Sequence, residues 1–401
     1  MKPRTGVDRS ITQKWRPATQ AIRGGTMRSN FGETSEALYL TSGFSYESAD
    51  EVAARFRGEA EGFTYSRQTN PTVSMFEERM ALLEGAEVAR ATATGMSAMA
   101  TALLCQLKAG DHVVAARALF GSCRWLVDTL LPQYGIETTV IDGRDNAAWA
   151  AARKPNTKVF FLETPANPTL DIVDLKAVSA LAHEIGAKVV VDNVFATPVL
   201  QKPMQLGADI VCYSATKHID GQGRVLGGVI LCDKKFDEEH LYAYFRHTGQ
   251  IMAPFNAWVL LKGLETLDMR VRQMCRNAAQ VADFLAGRLT TLLYPGRKDF
   301  PQYELAMQQM SEGGTILCFH LADERQAFDF LNALELIDIS NNIGDSRSLA
   351  THPASTTHKA VAVEIQRELG ITPGMIRLSV GLEDAQDLIE DLDRALKAVG
   401  L

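Results

Sequence analysis

The feature that most constrains the fold is a β/α rhythm running from residue 112 to residue 232. Short runs rich in Val, Ile and Phe recur at 112–115, 137–141, 158–163, 188–192, 209–212 and 229–232. Segments with helical spacing stand between them at 121–133, 145–153 and 175–185. Strands that are apolar along their length must be covered on both faces. The pattern therefore predicts a mostly parallel sheet in an α/β chain. Upstream, Val73, Phe76, Met80 and Leu83 share one face of a helix over 72–83 that Gly85 ends. An Ala- and Thr-rich strand at 89–94 follows, then a turn and a helix over 98–107. Nearer the N-terminus, 38–43 reads as a short strand or turn, and 49–56 as a helix capped by Ser48 or Asp50. Residues 58–71 show no regular pattern.

Downstream, a long helical region covers 257–289. Strands at 315–321, 337–341 and 375–380 and helices at 323–334 and 383–399 complete a second, smaller α/β domain. The expected organisation is an N-terminal arm at 1–62, a large domain at 63–256 and a small C-terminal domain at 257–401. The polar linker 346–358 would suit a lip over a site.

Composition removes several function classes. The 41 Lys and Arg against 48 Asp and Glu leave a formal charge of −7, which offers no footprint for nucleic acid. No apolar run is long enough to cross a bilayer, and the first residues lack the apolar core of a secretory signal. The six cysteines form no CxxC pair and read as reduced thiols of a cytoplasmic protein. The eight histidines are dispersed, so no metal site is expected.

Ligands of parallel sheets sit beyond the carboxyl ends of the strands. The chemistry-bearing residues fall there: Glu163 with Asn167, Asp192 with Asn193, and Ser214 to Lys217. No GxGxxG follows an early strand, so the dinucleotide fingerprint is missing. A lysine at such a place is costly to bury unless it is paired or chemically used. Ser214 and Thr216 are spaced to put two hydroxyls near one anion. Gly95-Met96-Ser97 opens a helix whose free N–H groups could hold a phosphate. Asp192 would keep a ring nitrogen protonated, or would merely cap the next turn. Arg377, between Ile376 and Leu378, offers a planar fork for a carboxylate, or pairs with a surface acid. Phe120 could stack on a flat ring or belong to the core.

Longer motifs carry a resemblance. They are YSRQTNPT at Tyr65–Thr72, ATGMSA at Ala93–Ala98, ETPANPT at Glu163–Thr169, VVDNVFATP at Val190–Pro198, YSATKHIDG at Tyr213–Gly221 and RLSVGLE at Arg377–Glu383. In this order they resemble the Cys/Met metabolism (trans-sulfuration) branch of the fold type I pyridoxal-phosphate enzymes, from about residue 19 to 396. The resemblance implies a seven-stranded, mostly parallel large-domain sheet and pyridoxal 5'-phosphate as cofactor. It implies that Lys217 carries the cofactor and shuttles protons, and that Asp192 pairs with the ring nitrogen. Gly95, Met96, Ser214 and Thr216 would hold the phosphate. Tyr65 and Arg67 would reach the neighbouring subunit's phosphate, with Tyr65 assisting proton transfer. Phe120 would stack on the ring, Asn167 would lie near the ring oxygen, and Arg377 would bind the substrate carboxylate. Asn342 stands in the loop that helps to place that carboxylate.

Two departures from the common pattern narrow the activity the resemblance implies. The stacking residue is Phe120 where tyrosine is frequent, and Ser122 stands where methionine-cleaving lyases carry cysteine. With Asn342–Pro353 they resemble sulfhydrylases acting on acylated homoserine, O-succinylhomoserine in particular. The rivals are cystathionine γ-synthesis with cysteine, the O-acetyl ester as donor, and γ-elimination. The family resemblance also implies a homotetramer of two active dimers acting on small molecules, with no nucleic-acid or membrane partner.

Overall fold

The computed structural model describes residues 8–401; residues 1–7 of the expected arm lie outside the described residues. The large sheet contains β1 (Val88–Thr92), β2 (His112–Ala116), β3 (Glu137–Ile141), β4 (Thr157–Glu163), β5 (Lys188–Asp192), β6 (Ile210–Ser214) and β7 (Gly228–Cys232). Their order is β1-β7-β6-β5-β4-β2-β3. Strand β2 runs parallel to β3 and β4, and β4 runs parallel to β5. The edge strand β1 pairs antiparallel with β7. Val159–Leu162 and Val189–Val191 are fully buried, as strands covered on both faces require.

A second sheet contains β8 (Leu292–Leu293), β9 (Ile316–His320), β10 (Asp338–Ile339), β11 (Leu349–Thr351) and β12 (Met375–Ser379), in the order β10-β11-β12-β9-β8. Leu317, Phe319, Ile376 and Leu378 pack against Val281, Leu285, Phe330, Leu388 and Leu392. The rings of Phe319 and Phe330 meet edge to face at 5.5 Å. The sheet lifts Arg377 into the middle of β12.

The chain divides into two compact units. The first holds the N-terminal stretch to Gln106, Cys212–Thr216 and Arg224–Thr266. The second holds Leu107–Val211, Lys217–Gly223 and Leu267–Leu401. Among the described residues, no helix is long and apolar enough to cross a membrane.

Several elements differ from expectation. The helical region 257–289 is two helices, Pro254–Glu265 and Leu267–Ala286. They part at Thr266, whose φ of −113° and ψ of 5° leave the helical range. The helix 121–133 contains a π turn at Leu126–Leu130. The polar linker 346–358 contains β11, whose three residues are buried and paired with β12. Ser48, rather than Asp50, caps the Ala49–Phe56 helix by accepting from Glu51 N at 3.1 Å. Residues 38–43 form no strand; a single bridge joins Gly43 to Tyr65.

A buried ion group braces the first unit. Glu36 accepts from Arg79 at 2.5 Å and from Lys262. Burial pushes the Glu36 carboxyl up, but the hydrogen bonds from Lys262 and Arg79 outweigh it and hold the group at about 2. A folded-state value below the ordinary 4.5 stabilises the fold fully above about pH 4.5, and that contribution is lost as pH falls toward 2. Glu36→Gln should therefore lower the denaturant midpoint at pH 7, and the gap to wild type should narrow below pH 4.5. A gap independent of pH would contradict this account.

Candidate active site

Strands β4 and β5 end on acids. Glu163 and Asp192 are register partners, and both are almost fully buried. Asp192 accepts from Val194 N at 3.1 Å. Burial pushes its carboxyl up against that single bond. Glu163 accepts from Phe120 N at 2.6 Å and from Asn167 N at 3.1 Å. Burial first, then the neighbouring Asp192, raises its carboxyl as well.

Lys217 follows in the second unit. Its Nζ donates to Asn342 Oδ1 at 2.5 Å. Burial, and then the charge of Arg377, lowers this amine to about 8. The turn beyond it is clamped. Arg270 Nη1 donates to His218 O at 2.7 Å and Nη2 to Ile219 O at 3.3 Å. Gly221 N returns to Lys217 O at 2.8 Å, and Ser346 N donates to Gly221 O at 2.8 Å. At Gly221, φ is +68° and an added Cβ would lie 1.9 Å from Arg270 Nη1, so only glycine fits. His218 is buried and bonded to Thr315 Oγ1 at 2.8 Å. Burial keeps its imidazole neutral, at about 3.

Arg377 is buried among neutral partners. Its Nη1 donates to Asn167 Oδ1 at 2.9 Å, and its Nη2 to Asn341 O at 2.8 Å. Its Nε has no partner. Burial lowers the guanidinium to about 10. His358 was not singled out in the sequence, yet it is buried in Arg377's field and held neutral at about 4, mainly by burial. Cys318, opposite Arg377 in β9, donates to Pro168 O at 2.9 Å. Neither residue shows in a sequence pattern, because a lone His and a strand Cys carry no spacing signal.

The first unit holds the other expected residues. Gly95 and Met96 open the Gly95–Leu104 helix, whose cap Thr94 accepts from Ser97 N at 3.0 Å. A Cβ on Gly95 would lie 2.6 Å from Ser214 Cβ, so the helix start closes directly on Ser214. The Thr216 hydroxyl accepts from Gly227 N at 3.1 Å and donates to Gly227 O at 3.3 Å. Tyr65 is 43% exposed. The Arg67 guanidinium lies 5.4 Å from the Tyr65 ring centre and reaches Arg246 O at 2.5 Å.

The structure thus collects Phe120, Glu163, Asn167, Asp192, Lys217, Asn342 and Arg377 in the second unit. It collects Tyr65, Arg67, Gly95, Met96, Ser214 and Thr216 in the first. Among the described residues, no three His, Cys, Asp or Glu side chains group closely enough to hold a metal ion.

Comparison with known proteins adds three findings. The sequence profile described as "Cys/Met metabolism PLP-dependent enzyme" matches residues 18–397. An O-succinylhomoserine sulfhydrylase of Mycobacterium tuberculosis is 52% identical across 94% of this chain and 95% of its own. One of Pseudomonas aeruginosa is 44% identical across 95% of each. Among solved structures, a Campylobacter jejuni chain assigned as an O-acetylhomoserine (thiol)-lyase aligns with a TM-score of 0.92 at 30% identity. The match covers 96% of this chain and all of that one, which carries N'-pyridoxyl-lysine-5'-monophosphate.

The lowered amine of Lys217 is directly testable. In the ligand-free protein, labelling of Lys217 by an amine-directed reagent should rise with pH through about 8. Arg377→Met removes a neighbouring positive charge and should move that midpoint upward. A Lys217 midpoint near the ordinary 10.5 would show that the amine is not depressed.

Proposed function

Because the chain belongs to the Cys/Met metabolism PLP-dependent enzymes, we propose that it catalyses a γ-replacement. O-Succinyl-L-homoserine and hydrogen sulfide give L-homocysteine and succinate. The observation that carries the reading is the half-buried Lys217 amine, bonded to Asn342 and lowered to about 8 in the unit that also holds Asp192 and Arg377. The reaction named comes from the relatives: both sulfhydrylases match almost end to end.

The residues present fit pyridoxal phosphate. Asp192 has one hydrogen bond and a carboxyl raised by burial, which a protonated ring nitrogen would relieve. Gly95 leaves no more than a hydrogen atom's room beside Ser214, which suits close main-chain approach to a phosphate. Arg377 Nε is a buried donor without a partner. When bound, the cofactor supplies an electron sink that permits proton loss from the substrate's α- and β-carbons and departure of the γ-acyloxy group.

The chain supplies placement and protons. Lys217 holds the cofactor and moves protons at Nζ, a task suited to an amine near neutrality. Asn342 Oδ1 receives that amine and lies in the segment next to the substrate's carboxylate. Arg377 binds the carboxylate through its free Nε and its planar fork. Asp192 keeps the ring nitrogen protonated. Phe120 stacks on the ring, and Asn167 stands beside the ring oxygen. Ser214, Thr216 and the amides of Gly95 and Met96 hold the phosphate. Tyr65 and Arg67 serve a neighbouring subunit's site, with Tyr65 assisting proton transfer.

On this reading 63–256 is the cofactor domain, 257–401 the small domain and 1–62 an arm laid on a second copy within a homotetramer. Support for assembly comes from apolar side chains left exposed on the arm, Phe31 at 95% and Phe56 at 62%. A cytoplasmic site of action is supported by the free thiols of Cys105, Cys232, Cys275 and Cys318.

Two experiments test the reading. O-Succinyl- and O-acetylhomoserine are each offered with sulfide or with cysteine, and the products are identified. Homocysteine formed fastest from the succinyl ester and sulfide supports it; cystathionine or 2-oxobutyrate as main product overturns it. Separately, Lys217→Ala should lose the visible band of the lysine-bound cofactor and lower kcat by on the order of 10³ or more. Retention of both by the variant would remove Lys217 from its role.

A further inference from the structure

Glu163 is buried at the carboxyl end of β4, beside the acid expected to meet the ring nitrogen, and has so far been given no task. We propose that Glu163 is a positioning residue. It sets Phe120 and Asn167, and through Asn167 the guanidinium of Arg377, in the places from which they act.

The geometry is a two-sided main-chain anchor. Oε2 accepts from Phe120 N at 2.6 Å, and Oε1 accepts from Asn167 N at 3.1 Å. Both oxygens are therefore tied to the main chain, one to each wall of the site.

Each bond fixes one wall. Phe120 is the cap of the helix that begins at Gly121, and it makes no side-chain cap bond of its own. The Glu163 carboxyl supplies a distant substitute by accepting from Phe120 N. Movement of Phe120 N carries the phenyl ring with it, because ring and amide share one residue.

The second bond reaches further. Asn167 is held at its amide by Glu163, and its Oδ1 accepts from Arg377 Nη1 at 2.9 Å. Nη2 of Arg377 is tied to Asn341 O at 2.8 Å. Nε is then the guanidinium nitrogen without any partner, a donor open to a carboxylate. Two hydrogen bonds in series thus connect Glu163 to the orientation of that donor. Its register partner Asp192, at the next strand end, is not part of this chain of bonds, so the two acids divide the labour: one faces the cofactor, the other the residues around it.

The inference rests on the function proposed above, and its test separates the two. Glu163→Gln keeps the shape but turns an NH₂ group toward one of the two main-chain N–H donors, so one anchor is lost. Expected in the loaded variant are a thermal midpoint close to wild type and visible-region circular dichroism of the bound cofactor reduced about twofold or more. KM for the amino-acid donor should rise about tenfold, with kcat changed less. Wild-type dichroism and KM, with only the midpoint lowered, would show a purely structural acid and overturn the proposal. A second measurement holds even if the variant does not fold. In the ligand-free wild-type protein the amides of Phe120 and Asn167 should exchange at least about tenfold more slowly than unbonded loop amides nearby. Fast exchange at both would equally overturn it. Wild-type protein that binds no cofactor would sink the earlier reading alone, because amide exchange is read without cofactor.

Discussion

The site depends on the removal of two like charges from water. Burial disfavours the charge of both Arg377 and Lys217, which stand in the same unit, and Arg377 adds a smaller push against the charge of Lys217. A guanidinium resists losing its proton far more than an ammonium does. Arg377 is moreover held by Asn167 Oδ1 and Asn341 O. The lysine is the group that yields: burial first, then the charge of Arg377, brings its amine to about 8. The acids show the mirror image. Glu163 and Asp192 stand side by side at two strand ends, and burial raises both. Glu163 finds two N–H donors and Asp192 one, which leaves Asp192 the acid with more acceptor capacity open. Strand geometry thus produces the chemical asymmetry without any side chain that is unusual in itself.

Much of this was legible in the sequence because its physics is local. Val-, Ile- and Phe-rich runs must be strands buried on both faces, and β4 and β5 are. Strand ends collect ligands, so Glu163, Asp192 and Lys217 stood out before any coordinates. The roles of the site residues came from the motif resemblance rather than from spacing. The parts not legible depend on distant partners. Strand β11 is three residues long, too short for a period of two to show, and it exists because β12 pairs with it. The break at Thr266 carries no proline or glycine; the residue simply leaves helical geometry. His358 looked like the end of a polar linker, and its place near Arg377 is set by tertiary packing. The resemblance places Asn342 in a substrate loop, but its bond to Lys217 Nζ has no sequence signal. Glu163 was marked only by position. Its two main-chain bonds link residues 43 and 4 positions away, and the longer of these no sequence period records.

The turn after Lys217 has a mechanical meaning. Arg270 grips the carbonyls of His218 and Ile219, Gly221 closes back on Lys217 O, and Ser346 ties Gly221 down. The backbone that carries the amine is bolted at four points within five residues. The amine's travel is then limited to what four methylenes allow, a crane arm swinging from a fixed mast. The bond to Asn342, and any bond the amine makes in the reaction proposed for it, has to form inside that arc.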